Sequence, residues 1–147
     1  MIDITDKNIV LREAKASGKI KLKKETIELI KNRNVKKGDT IETARIAGTM
    51  AVKNTWNNIP YCHQIPLSSI DFNFEINDDS IVSYCHVKAE YRTGVEMEAI
   101  NGVLTSLLTI WDMVKYLEKD ETGNYPETGI SDVSVLYKRK AKLDAPS

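Results

Sequence analysis

The chain has 147 residues, enough to bury one core and too few for two, so it is read as a single domain over residues 1–147. Its 21 basic and 21 acidic residues cancel, so no nucleic-acid surface is expected and any anionic partner is left to a local pocket. Two cysteines without an apolar leader point to a reducing, cytoplasmic setting; the most apolar region, residues 95–117, is broken by Glu98, Asn101, Thr105, Thr109 and Asp112, so no membrane span is expected.

Residues 2–22 mix short β-favouring pieces, IVL and IKL, with charges around a Ser17-Gly18 turn, which predicts an irregular entry followed by a strand. In KETIELIKNRN, Ile27, Leu29 and Ile30 share a short helix that ends near Asn34. Gly38-Asp39-Thr40 then turns the chain into a second helix, with Ala44, Ala47, Met50 and Ala51 as packing residues and a stop before Pro60. So many small side chains imply that a neighbouring backbone lies close. Arg45, Thr49 and Lys53, spaced four apart, set two cations on one side of this helix.

At SSIDFNFEIND the period changes to two: Ile70, Phe72, Phe74 and Ile76 alternate with Asp71, Asn73 and Glu75, as in a strand with one face in the core. Residues 77–80 form a turn, and IVSYCHVKAEY returns as the second strand of an antiparallel hairpin. After Gly94 a helix of about six turns runs over residues 95–118. Its apolar sector includes Ala99, Val103, Leu104, Leu107, Ile110 and Val114. The opposite sector, Glu98, Asn101, Gly102, Thr105, Thr109 and Asp112, is small and mostly uncharged, so it is expected to pack against another element or another subunit. KDETGNYPETG reads as a loop and SDVSVLYK as a final strand. The order of strand, two helices, two strands, long helix and strand predicts an α+β sandwich, ferredoxin-like, with helices packed on one face of an antiparallel sheet.

Cys62-His63 and Cys85-His86 carry ligand types that suit zinc. Neighbours in a strand face opposite ways, so Cys85 and His86 do not share an ion, and no metal site is expected. His63 lies in IPYCHQIP, held between prolines, where an imidazole serves either to contact a substrate or to brace the loop. Asp112 and Lys115 are neighbours on the long helix; flanked by Trp111 and Met113, they are expected to be partly buried, with a perturbed pKa and a capacity for proton transfer. In TGVEMEA, Thr93 and Glu96 have capping-box spacing, so Glu96 is expected to close the helix start while Glu98 points along the sector of Asp112. About 20 Å of helix separates Glu98 from Asp112, so joint action would need a second subunit.

Four strings together, IDIT, GDTIETARIAGTMAVKNTW, IPYCHQIPLS and TGVEMEAINGVLTSLLTIWDMVK, resemble the MoaC family, cyclic pyranopterin monophosphate synthases of molybdenum-cofactor biosynthesis, over residues 1–120. The resemblance implies a ferredoxin-like fold and a homo-hexamer, a trimer of dimers with active sites at the dimer interface. It also implies a cofactor-independent lyase that takes a small nucleotide-derived substrate, 3',8-cyclo-7,8-dihydro-GTP, to cyclic pyranopterin monophosphate and releases pyrophosphate. Matched by motif, Asp112, Lys115 and Lys37 take the catalytic positions, and Tyr61, Cys62, His63, Met97 and Glu98 the substrate-binding ones. Arg45 and Lys53 join them on charge, as cations that could offset a triphosphate. Gln64 stands where many members carry proline, Arg92 where many carry lysine, and LYKRKAK replaces the usual glycine-rich tail. The competing class is a non-catalytic nucleotide-binding or oligomer-assembly module, expected if Lys37, Asp112 and Lys115 lie apart in every subunit pairing.

Overall fold

The computed structural model describes residues 1–143. Four strands, β1 (Val10–Lys21), β2 (Leu67–Ile76), β3 (Ser80–Tyr91) and β4 (Gly129–Ala141), form one sheet in the order β2-β3-β1-β4, every pairing antiparallel. Four helices, α1 (Lys24–Lys31), α2 (Thr40–Lys53), the short α3 (Thr55–Asn58) and α4 (Glu96–Glu118), complete the chain. With β1 and β3 central and β2 and β4 at the edges, this is the ferredoxin-like α+β arrangement expected from the order of elements.

The alternation that identified the hairpin also builds the core. Ala14, Ala16 and Ile20 of β1 and Ile81, Cys85, Val87 and Ala89 of β3 face the helices and are fully buried. Against them α4 lays Ala99, Val103, Leu107, Ile110 and Val114, all equally inaccessible. Each large aliphatic side chain among these contributes about 1.5–3 kcal/mol by leaving water, which makes α4 the main anchor of the fold.

The small residues do what their number implied, with some changes of place. A Cβ on Gly102 would stand 2.6 Å from Val52 and 2.9 Å from the Cys85 sulfur, and one on Gly48 would meet the Phe72 ring at 2.5 Å, so α2 and α4 touch nearly backbone to backbone. The uncharged sector of α4 supplies this contact: Asn101 donates to the Ala51 carbonyl at 3.0 Å and to the Thr55 hydroxyl at 3.2 Å. With two sides of α4 occupied, Leu104 is left 41% exposed rather than in the core, and Met50 of α2 also faces outward.

Ser17-Gly18 is not a turn. β1 runs straight through it, with a register shift only on the β4 side, and Gly18 is required because a Cβ there would press on Val103 and Leu107 of α4 at 2.8 and 3.0 Å. Glu118, fully buried, accepts from the Lys23 N–H at 3.3 Å and from the Thr26 and Thr128 hydroxyls, tying the end of α4 to the start of α1. Gly102→Val should overpack the α2–α4 contact and cost about 1–3 kcal/mol, read as a lower urea midpoint, whereas an unchanged midpoint would mean that the helices are free to separate.

Candidate active site

Near the C-terminal end of α4 three side chains converge within one chain. Lys115, three residues on from Asp112, sets its Nζ 3.1 Å from Asp112 Oδ1. Lys37 comes from the loop ahead of α2 and donates to Asp112 Oδ2 at 3.2 Å and to the Asp112 carbonyl at 2.9 Å. Asp39 fixes the far end of that loop as the N-cap of α2, accepting the Glu42 N–H at 3.1 Å. The hydrogen bond from Lys115, then that from Lys37, hold the Asp112 carboxyl below its ordinary pKa. The Asp112 carboxylate therefore keeps its charge to a lower pH than an unpaired aspartate would.

The expected partial burial of this cluster is corrected: Asp112 is 57% exposed. Successive helix residues point about 100° apart, so Trp111 turns to stack edgewise on Tyr125 at 5.2 Å and Met113 turns into the core, leaving Asp112 outside. Exposed ion pairs stabilise little, so two ammoniums on one carboxylate are poorly explained as a structural brace. Chemically they form a carboxylate-oriented pair of proton donors open to a ligand.

The N-terminal end of α4 carries a different chemistry. Glu98 is 3% exposed; its Oε2 accepts from the Cys62 thiol at 3.7 Å, and its Oε1 is buried with no partner. Burial raises the pKa of Glu98, and burial together with the Glu98 charge pushes the Cys62 thiol up to about 11. Cys62 is thus a thiol and not a nucleophile at neutral pH. Tyr61, Cys62, His63 and Met97 line one groove of about 570 Å³, closed on one side by the N-terminal Met1, Ile2 and Ile4. His63 Nε2 lies 2.8 Å from the Ile2 carbonyl, so it braces that segment, while Tyr61 is open to solvent. The loop-bracing and substrate-contact readings of His63 thus concern the same groove.

Glu96 does not close the helix as the capping-box spacing suggested. The cap position is Val95, which offers no side-chain bond, and Thr93 stands two residues farther out. Burial by itself would raise the pKa of Glu96, but the Lys138 ammonium at 2.9 Å, with the Arg12 charge nearby, brings it below the ordinary value.

Lys138 also lines a groove of about 250 Å³ in which the cations Arg12, Lys138, Arg139 and Lys140 outnumber the one acid, Glu13. Arg12 donates to the Arg92 carbonyl at 3.4 Å, and the Nε atoms of both arginines are buried without a partner. Arg12 escaped sequence reasoning because strand register assembles this groove, with Arg12 opposite Ala89 on β3 and Lys140 on β4; the one signal was the basic tail LYKRKAK.

The two cations chosen on charge are elsewhere. Arg45 is held by the Phe72 carbonyl at 2.5 Å, by Glu42 at 3.1 Å and over the Phe74 ring, and Lys53 ends α2 exposed. Cys85 is buried and pushed up to about 12 chiefly by that burial, whereas His86 lies on the other face of the sheet, 2.7 Å from Glu13. Among the described residues no group of three or more His, Cys, Asp or Glu could hold a metal ion, and no helix is long and apolar enough to cross a membrane.

Fold and site define a ferredoxin-like α+β protein whose longest helix carries an acid–base cluster near one end and a buried carboxylate near the other. The chain belongs to the MoaC family: the family's model matches residues 1–141. It is similar to a protein of Thermoplasma volcanium named "Probable cyclic pyranopterin monophosphate synthase", 54% identical over 97% of this chain and 95% of the relative. A protein of Thermococcus kodakarensis with the same name is 54% identical over 97% of this chain and 91% of the relative. One from Methanothermobacter thermautotrophicus, 48% identical over 97% of this chain and 90% of the relative, is named "Probable cyclic pyranopterin monophosphate synthase accessory protein".

A thiol at about 11 predicts slow alkylation. At pH 8 iodoacetamide should label Cys62 about a hundredfold more slowly than an unperturbed thiol, and Glu98→Gln, by removing the carboxylate, should speed it. Equal rates in parent and variant would break the proposed contact.

Proposed function

We propose that this chain is a cyclic pyranopterin monophosphate synthase, a lyase of molybdenum-cofactor biosynthesis that converts 3',8-cyclo-7,8-dihydro-GTP to cyclic pyranopterin monophosphate and releases pyrophosphate. The observation that carries this reading is the convergence of Lys37 and Lys115 on Asp112 at 3.2 and 3.1 Å, in a chain of the MoaC family. The two lysines exchange protons with the substrate as the purine-derived ring opens and the pterin closes, while Asp112 orients them. Tyr61, Cys62, His63, Met97 and Glu98 bind the ring system. The groove of Arg12, Lys138, Arg139 and Lys140 suits the triphosphate and its leaving pyrophosphate better than Arg45 and Lys53, the first of which already holds Phe72.

One substrate does not span the roughly 20 Å of α4 between Glu98 and Asp112. The site is accordingly shared between copies, with Asp112, Lys115 and Lys37 of one chain facing the groove of Tyr61, Cys62, His63 and Met97 of the next, behind which Glu98 lies. An exposed apolar stripe supports such an interface: Ile46 and Met50 on α2, and Met97, Leu104 and Leu108 on α4. The assembly is a homo-hexamer, a trimer of dimers, working in the cytoplasm without cofactor or metal, and each chain acts as one domain.

The name of the Methanothermobacter relative favours a second reading, a non-catalytic nucleotide-binding or assembly protein. Purified protein given the cyclic GTP-derived substrate separates the two. Asp112→Asn and Lys37→Ala should each lower pyrophosphate release by about 10²–10⁴-fold while keeping the parent's circular dichroism and assembly size. Parent protein that binds the substrate and releases nothing would favour the second reading.

A further inference from the structure

We propose that Tyr116 is a positioning residue for the proton-transfer cluster: its hydroxyl, by accepting the Lys36 N–H, fixes the loop that aims Lys37 at Asp112. The inference rests on the reading of Lys37 and Asp112 given above. Tyr116 Oη lies 2.9 Å from the Lys36 backbone nitrogen, and the Lys36 ammonium stands 5.7 Å from the centre of the Tyr116 ring. Among the described residues this is the one hydrogen bond by which the backbone of residues 35–38 meets α4. Asp112 and Tyr116 are four apart on α4, so their side chains project from one face, one turn from each other. They therefore hold consecutive residues of the loop, Tyr116 the backbone of Lys36 and Asp112 the side chain of Lys37.

The loop has few other constraints. Buried Val35 pins its start, Asp39 its end, and between them Gly38, at φ 116°, turns the chain so that its N–H bonds the Val35 carbonyl at 3.1 Å. A lysine side chain carries several rotatable bonds, and an exposed ion pair alone seldom holds it in one geometry. Fixing the backbone one residue before it shortens the range its Nζ can search. A partly exposed tyrosine hydroxyl that spends its lone pair on a loop amide is otherwise unexplained by the packing of the core.

Tyr116→Phe removes the acceptor and keeps the ring, so the stacked Lys36 ammonium and the fold should persist. Carbon-13 carboxyl NMR of Asp112 should then show its titration midpoint moved up toward the ordinary carboxylate value, by part of the shift seen in Lys37→Met, with Lys115 still paired. Steady-state pyrophosphate release should lose about tenfold in kcat, as expected for one hydrogen bond of about 1.4 kcal/mol, with KM within about twofold. 3,5-Difluorotyrosine at position 116, a weaker acceptor of nearly the same shape, should move the midpoint the same way by less. An Asp112 titration in Tyr116→Phe that overlays the parent's overturns the proposal. A parent protein without turnover overturns the reading of the reaction instead, and the titration still decides whether Tyr116 sets the Lys37–Asp112 geometry.

Discussion

The architecture depends on how α4 is held. Its 23 residues are pressed on the sheet by side chains that are fully buried and on α2 by a contact that only glycine permits on either side, at Gly48 and Gly102. Gly18 lets the same helix sink onto β1. A helix fixed along this length is a rigid ruler, and the functional groups are marks on it: Glu98 near the first turn, Asp112 and Lys115 farther on, Glu118 at the end as the tie to α1.

The two ends of α4 differ in the way their charges are treated. At Glu98 burial dominates, so the carboxylate is raised, lacks a partner for one oxygen and faces a thiol kept protonated. At Asp112 solvent reaches all three groups, and hydrogen bonds from two ammoniums keep the carboxylate ionised. One region thus offers a desolvated surface, the other a charged cluster open to water. The groove between β1 and β4, lined by Arg12, Lys138, Arg139 and Lys140, is a third region, and its charge is mainly positive.

Much of this was legible in the sequence, for definite reasons. The period-two run from Ile70 to Ile76 and the long apolar sector of α4 needed no tertiary information. The closeness of Asp112 and Lys115 follows from helical spacing, and Lys37 joined them through the resemblance to the MoaC family. Other features depend on three-dimensional context. Whether Ser17-Gly18 turns or continues is decided by α4 lying above it, and Arg12 meets Lys140 only through strand register. Glu96 has cap spacing from Thr93, yet the helix starts at Glu96 itself and Lys138 takes its carboxylate. Local chemistry gave the candidate; the partner across the sheet decided its role.

A site shared between chains is tested most directly by mixing inactive variants. Asp112→Asn and Glu98→Gln damage opposite ends of α4, so a mixed dimer would hold one site with both lesions and one with neither. After subunit exchange at equal concentrations, pyrophosphate release should recover to about a quarter of the parent rate, since half of the dimers are mixed and each has one intact site of two. Mixtures that stay as inactive as the separate variants, although mass spectrometry shows that subunits have exchanged, would contradict the shared site.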